Sequence, residues 1–145
     1  MNLEPEEISV VLFSENAEVP TKAHEEDAGF DLYSPVNFKV MPQSKTKINL
    51  EFGLSIPKGF YGQMKDRSSL ANKDLHVLGG VIDSGYQGPV QLILWNLGHE
   101  ARRFDVGDKV AQLVILPVPS MTMKQVDSFD TTTQRGTGGF GSTGT

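Results

Sequence analysis

Apolar and polar residues run in short blocks along this chain, and no apolar stripe of helical period reaches useful length. The stretches 8–13, 45–52, 60–65, 89–96 and 109–118 are rich in branched and aromatic side chains. Gly, Pro, Asn and Asp punctuate them at roughly even spacing, which predicts strands joined by turns. In the second half of 45–52, Lys47 to Phe52 alternate polar with apolar, the mark of a half-buried strand. The continuous apolar runs 92–95 (LILW) and 113–116 (LVIL) are expected to be covered on both faces. Only 68–74 predicts a short helix. Many short strands in one compact unit imply an all-β fold, a β-sandwich or jelly roll.

Composition narrows the function. At 145 residues the chain makes one domain with room for its own core. It has no cysteine, which excludes a disulfide scaffold and a cysteine-ligated metal and fits a reducing compartment. No apolar run reaches membrane length, and the first seven residues (MNLEPEE) are acidic rather than signal-like. No membrane partner and an intracellular setting, cytoplasmic or nuclear, are therefore expected. The net charge of −5, from 13 basic and 18 acidic residues, argues against nucleic acid as a partner. A small anionic ligand needs only a few well-placed cations.

The stretch 135–145 (RGTGGFGSTGT) holds five glycines. Glycine loses the most backbone freedom on ordering, so this segment forms no helix or strand by itself. By composition it is a disordered tail. Its chemistry suits more than that. Bare backbone amides with the Arg135 guanidinium are what a polyphosphate wants, and Phe140 can cover the face of a base. The expected division is a folded domain over 1–134 and a mobile C-terminal lid over 135–145.

Four clusters interrupt the strand pattern. In 25–33 (EEDAGFDLY), Asp31 follows a glycine at a turn-to-strand junction. An acid there is a solvated turn former or the holder of a hydrated divalent cation. In 66–70 (DRSSL), Ser68 or Ser69 caps the short helix, or these hydroxyls join Arg67 and the helix-start amides as an anion site. In 79–88 (GGVIDSGYQG), two apolar residues lead into Asp83 and a glycine-bordered Tyr86, as in a hairpin. This is an ordinary turn, or a pocket with Asp83 as base and Tyr86 as wall. In 107–114 (GDKVAQLV), Gln112 lies in an otherwise apolar strand and must find partners once buried.

In this order, and with the tail, these clusters resemble the five motifs of the trimeric deoxyuridine triphosphatases (dUTPases). The first is similar to that family's AGxDL motif, the second to its RS-containing phosphate motif, the third to its GxID…Y…G hairpin. The fourth is similar to GDxxAQL and the tail to RGxxGFGSTG. No single motif is decisive, but five in order and at matching spacing, from Asp27 to Gly144, are very specific. The resemblance implies a jelly-roll subunit and a homotrimer with active sites at subunit interfaces. It also implies Mg²⁺-dependent cleavage of dUTP to dUMP and pyrophosphate, lowering dUTP and supplying dUMP for thymidylate synthesis.

By matching position, the resemblance implies that Asp83 holds and polarises the water attacking the α-phosphorus. Tyr86 would pack on the deoxyribose and exclude a ribose 2′-hydroxyl. The hairpin backbone, including Gly80, Val81, Ile82 and Gln91, would read the uracil edge. Arg67, Ser68, Ser69 and Gln112 would meet phosphate oxygens, and Asp31 would orient Mg²⁺ through its water shell. Arg135 would meet the terminal phosphate and Phe140 would lie over the uracil. Gly141, Ser142 and Thr143 would close on the phosphates.

These roles are chemically coherent. A triphosphate brings about four negative charges to an acidic protein, so Mg²⁺ and arginines are needed before a nucleophile can approach. A narrow hairpin reading uracil's edge rejects cytosine, whose donor and acceptor are reversed, and clashes with thymine's methyl group. The chain departs from the pattern at Asp66 and Ser69, where many members have Pro-Arg-Ser-Gly. An acid beside a phosphate-binding arginine opposes phosphate unless it points away. Gly85 replaces a common acid, and Gln91 stands where glycine is frequent. The Arg-Ser-Ser variant and short tail resemble viral members, so a virus-encoded origin fits. Two other readings compete. A dCTP deaminase shares the fold, but its glutamate position is Ile93 here. A non-enzymatic regulator would be free to lose Asp83, Arg67 or the tail, and all are present.

Overall fold

The computed structural model describes residues 6–141. Along them run β1 (Ser9–Leu12), β2 (Gly29–Tyr33), β3 (Phe38–Val40), β4 (Ser44–Asn49), β5 (Phe52–Ser55) and β6 (Phe60–Lys65). Next come a single turn of helix, α1 (Ser68–Ala71), then β7 (Leu75–Leu78), β8 (Val81–Ile82), β9 (Gln91–Asn96), β10 (Arg102–Phe104) and β11 (Lys109–Pro117). The strands pair antiparallel into a four-stranded sheet, β2-β11-β6-β8, and a three-stranded sheet, β4-β9-β7. Two ribbons, β1-β5 and β10-β3, complete the all-β jelly roll. No helix among the described residues is long and apolar enough to cross a membrane.

Both sheets turn apolar side chains into one core. Leu32 from β2 and Leu113 from β11 meet Leu92 and Leu94 from β9, with Phe52 and Leu50 from the β4–β5 region. Burying one such side chain is worth about 1.5–3 kcal/mol. Phe38 and Phe104 stack at 4.7 Å across the β3–β10 ribbon.

Three expectations are corrected. The stretch 45–52 is not one strand, because Glu51 takes a left-handed φ of 60° and Asn49 Oδ1 accepts its N–H at 2.7 Å. That kink ends β4, and β5 begins beyond it. The apolar runs are covered on one face only. In β9, Leu92 and Leu94 are buried while Ile93 and Trp95 stay half-buried, and in β11 Val114 and Leu116 do the same. Finally, 79–88 is not a paired hairpin, because β8 pairs with β6 whereas β9 pairs with β4 and β7. Gly79 and Gly80, at φ of 68° and 103°, carry the chain from one sheet to the other. The loop after β8 returns it, fixed where Leu50 N–H donates to Val90 O and Val90 N–H donates to Phe52 O, both at 2.9 Å.

Candidate active site

The four-stranded sheet gathers three of the motifs. Asp31 on β2, Gln112 on β11 and Lys65 on β6 lie abreast in register. Arg67 follows β6 by two residues, and its Nε stands 3.6 Å from Asp31 Oδ1. Lys109 Nζ stands 3.3 Å from Asp31 Oδ2. Two cations against one carboxylate leave this patch net positive, as an anion requires.

Gln112 finds its partners here. Its Nε2 donates to Asp66 O at 2.7 Å, while its Oε1 lies over Gly29, where a Cβ would overlap it. The glycine of the first motif therefore makes room for the glutamine of the fourth. Asp66 also turns away from Arg67, as a phosphate site needs. Its Oδ1 accepts the Val77 N–H at 2.6 Å, and its Oδ2 lies 2.7 Å from His76 Nδ1. The helix cap is not Ser68 or Ser69. Arg67 occupies that position in extended backbone with no side-chain cap bond. Both serines are exposed in the first turn, where amides have no intrahelical partner, and so stay available to an anion.

The third motif builds a separate concavity of about 260 Å³ at the sheet edge, with Gly80, Ile82, Asp83, Tyr86 and Gln91 in its wall and Met64 beneath. Val81 also lines it, although its side chain is largely exposed. Met64 N–H donates to Gly80 O at 2.8 Å, which ties the glycine turn to β6. Asp83 opens a tight turn closed by Tyr86 N–H donating to Asp83 O at 3.1 Å. Tyr86 Oη donates to Pro89 O at 2.6 Å, and its ring lies over Gly88 so closely that a Cβ there would sit 2.8 Å from the oxygen. Asp83 itself is exposed.

The concavity and the positive patch stand apart within one chain. The pairing Gly62↔Ile82 puts Asp83 level with Tyr61, four residues along β6 from Lys65. Asp31 lies three strands across from β8, so the two carboxylates are separated by roughly 14 Å across and 13 Å along the sheet. The described start of the tail bonds to itself. Arg135 Nε donates to Gly138 O at 2.6 Å, and Gly138 N–H donates back to Arg135 O at 3.0 Å. Phe140 is fully exposed at a φ of 49°, followed by the exposed Gly141. Ser142 and Thr143 lie outside the described residues.

Among the described residues no three His, Cys, Asp or Glu side chains gather as a metal site. Asp31 offers one partly exposed carboxylate, a hard oxygen donor that suits Mg²⁺. It suits water-mediated contact with a hydrated cation. Sequence reasoning gave no role to His76 or Lys109. Lys109 lay within the fourth motif, but nothing in sequence spacing pairs His76 with Asp66 ten residues earlier.

The dUTPase family model matches residues 15–144. The deoxyuridine 5′-triphosphate nucleotidohydrolase of Mus musculus is 38% identical over 135 residues, covering 92% of this chain and 83% of the mouse protein. The Staphylococcus bacteriophage 80alpha dUTPase solved with dUpNHpp superposes with a TM-score of 0.90 at 31% identity, covering 97% of this chain and all of the phage chain. A variant of the dUTPase from phage phi11 of S. aureus, described as coordinating a structural Mg(II) ion, has a TM-score of 0.82 at 30% identity. That match covers 87% of this chain and all of the phi11 chain.

Proposed function

Since this chain belongs to the dUTPase family and hydrolyses dUTP to dUMP, we propose that Asp83 activates the attacking water at sites completed between subunits of a homotrimer. The observation carrying this reading is the concavity that Asp83 and Tyr86 share with the Gly80 turn, at a distance from the positive patch. A base must come within hydrogen-bond reach of the proton it takes. One nucleotide cannot engage Asp83 and the Arg67 patch of the same chain across such a span. A second copy closes the gap. The half-buried outer faces at Ile93, Trp95, Val114 and Leu116 are apolar enough to be its contact surface.

The backbone at Gly80, Val81, Ile82 and Gln91 offers donors and acceptors to the uracil edge. Tyr86, tied to Pro89 O, would stand behind the sugar and exclude a 2′-hydroxyl. The triphosphate runs onto Arg67, Ser68, Ser69 and Gln112 of the neighbouring subunit. Asp83 takes a proton as the water oxygen bonds to the α-phosphorus. The bond from that phosphorus to its bridging oxygen breaks, and pyrophosphate leaves with the electron pair. Mg²⁺, held through water by Asp31, supplies charge neutralisation to the phosphates when it is bound. The partner subunit would cover the exposed Asp83 and exclude bulk water from the reaction. The tail adds Arg135 at the terminal phosphate and Phe140 over the base, a lid that orders on substrate.

Asp83→Asn keeps the shape and removes the proton acceptor. Pyrophosphate release from Mg·dUTP should fall by roughly 10²–10⁴ while dUpNHpp still binds. Turnover like that of the wild type eliminates Asp83 as the base.

A further inference from the structure

We propose that Asp66 and His76 act as a positioning pair that sets Arg67 for the triphosphate, an inference resting on the reading of Arg67 as a phosphate ligand. Three hydrogen bonds converge on the one residue that precedes Arg67. Val77 N–H reaches Asp66 Oδ1 at 2.6 Å, His76 Nδ1 meets Oδ2 at 2.7 Å, and Gln112 Nε2 donates to Asp66 O at 2.7 Å. Two come from β7 in one sheet and the third from β11 in the other. Asp66 is thus pinned where the two sheets diverge.

Arg67 needs that anchor. It sits at φ −79° and ψ 135°, outside the helix it opens, and α1 is only four residues long. A helix that short cannot hold its own first residue, because nucleation is unfavourable. On the far side, Leu70 and Ala71 N–H groups donate to Arg67 O at 2.9 Å. On the near side the anchoring passes through Asp66. The guanidinium end is steadied separately by Asp31, 3.6 Å from Nε.

His76 does a second thing. With Oδ1 taken by a backbone amide and Oδ2 by the imidazole, the Asp66 carboxylate is committed to β7. Released from His76, Oδ2 becomes free to turn toward the neighbouring guanidinium and compete with phosphate oxygens for it. The pair therefore both places Arg67 and keeps a rival anion from it. The His76 side chain is 56% exposed, so its removal leaves the core untouched.

The test is a double-mutant cycle read by calorimetric titration of Mg·dUpNHpp, with thermal unfolding and assembly mass checked for every variant. Arg67→Ala alone should weaken binding, and if it binds like the wild type, Arg67 is not a phosphate ligand. Given that loss, Asp66→Ala should weaken binding about 10-fold and His76→Ala about 3-fold. His76→Asn, whose amide donor occupies the place of Nδ1, should restore most of the second loss. In the Arg67→Ala background, both alanine changes should cost less than about 2-fold. Unchanged binding in His76→Ala, full additivity with Arg67→Ala, or no rescue by asparagine overturns the pair. Should Asp66→Ala fail to fold, the exposed His76 series decides alone.

Discussion

Gly88→Ala should loosen sugar selection without unfolding the protein. A Cβ at this position would come 2.8 Å from Tyr86 Oη, 3.0 Å from Cζ and 3.1 Å from Cε1. Gly88 does not belong to the left-handed glycines, so its backbone accepts alanine and only the ring must yield. Tyr86 is 44% exposed and can swing outward, giving up the 2.6 Å bond to Pro89 O. That bond is worth about 0.5–1.5 kcal/mol. Replacing glycine stiffens the unfolded chain by about 0.4–1 kcal/mol, so stability should change by no more than about 1 kcal/mol. The wall behind C2′, however, is gone. Overpacking a fitted site costs roughly 1–3 kcal/mol, so a displaced ring should raise the UTP/dUTP ratio of kcat/KM by about 5- to 150-fold. Pyrophosphate release on each nucleotide gives that ratio, urea unfolding gives the stability, and Tyr86→Ala sets the ceiling. If Tyr86→Ala relaxes the ratio and Gly88→Ala does not, the ring has not moved. If neither changes it, Tyr86 is not the wall.

Gly29→Ala should act at a distance by pushing the Gln112 amide off Asp66 O. Expected is a KM for dUTP raised about 5- to 10-fold with near-normal stability, and no further loss in a Gly29→Ala, Gln112→Ala double variant; additive losses would refute the link. Refolding a mixture of Asp83→Asn chains with chains lacking 135–145 should restore activity that neither homotrimer has, because base and lid then meet from different chains. Mixed trimers confirmed by intact mass yet still inactive would rule out the shared site.

Much of this was legible in the sequence, for physical reasons. The stretches 60–65 (FYGQMK), opened by two aromatics, and 109–118 (KVAQLVILPV), with its branched run at 113–116, become β6 and β11 nearly as expected. β3, β7, β8 and β10 have two to four residues each, too short for alternation to register. They exist because partners across the sheet complete them. The one-sided burial of β9 was also illegible, since an apolar run reads the same whether its outer face meets another layer or another chain. Gly80, Ile82, Asp83, Tyr86 and Gln91 line one concavity. Asp66 with His76, and Gln112 over Gly29, depend on pairings between strands that no local spacing encodes.

The motifs follow one another in the chain as Asp31, Arg67, Asp83 and Gln112, but across the sheet they run β2, β11, β6, β8. The fourth motif is inserted between the first and second, and this is what lets Gln112 bridge Gly29 to Asp66. Asp31 and Gln112 of the proposed phosphate patch therefore stand in register on paired strands. Asp83 instead leaves a two-residue strand at the sheet's edge, beyond which no further strand pairs among the described residues. An edge is the one place where a rigid sheet can present a base outward to a separate surface. Under the proposed roles, phosphate placement falls to the row of Asp31, Gln112 and Lys65, and water activation to the β8 edge of the same sheet. In the proposed homotrimer, one chain's edge would meet the next chain's patch. In the same reading the glycine-rich tail, needing neither register nor burial, would enclose what the sheets have positioned.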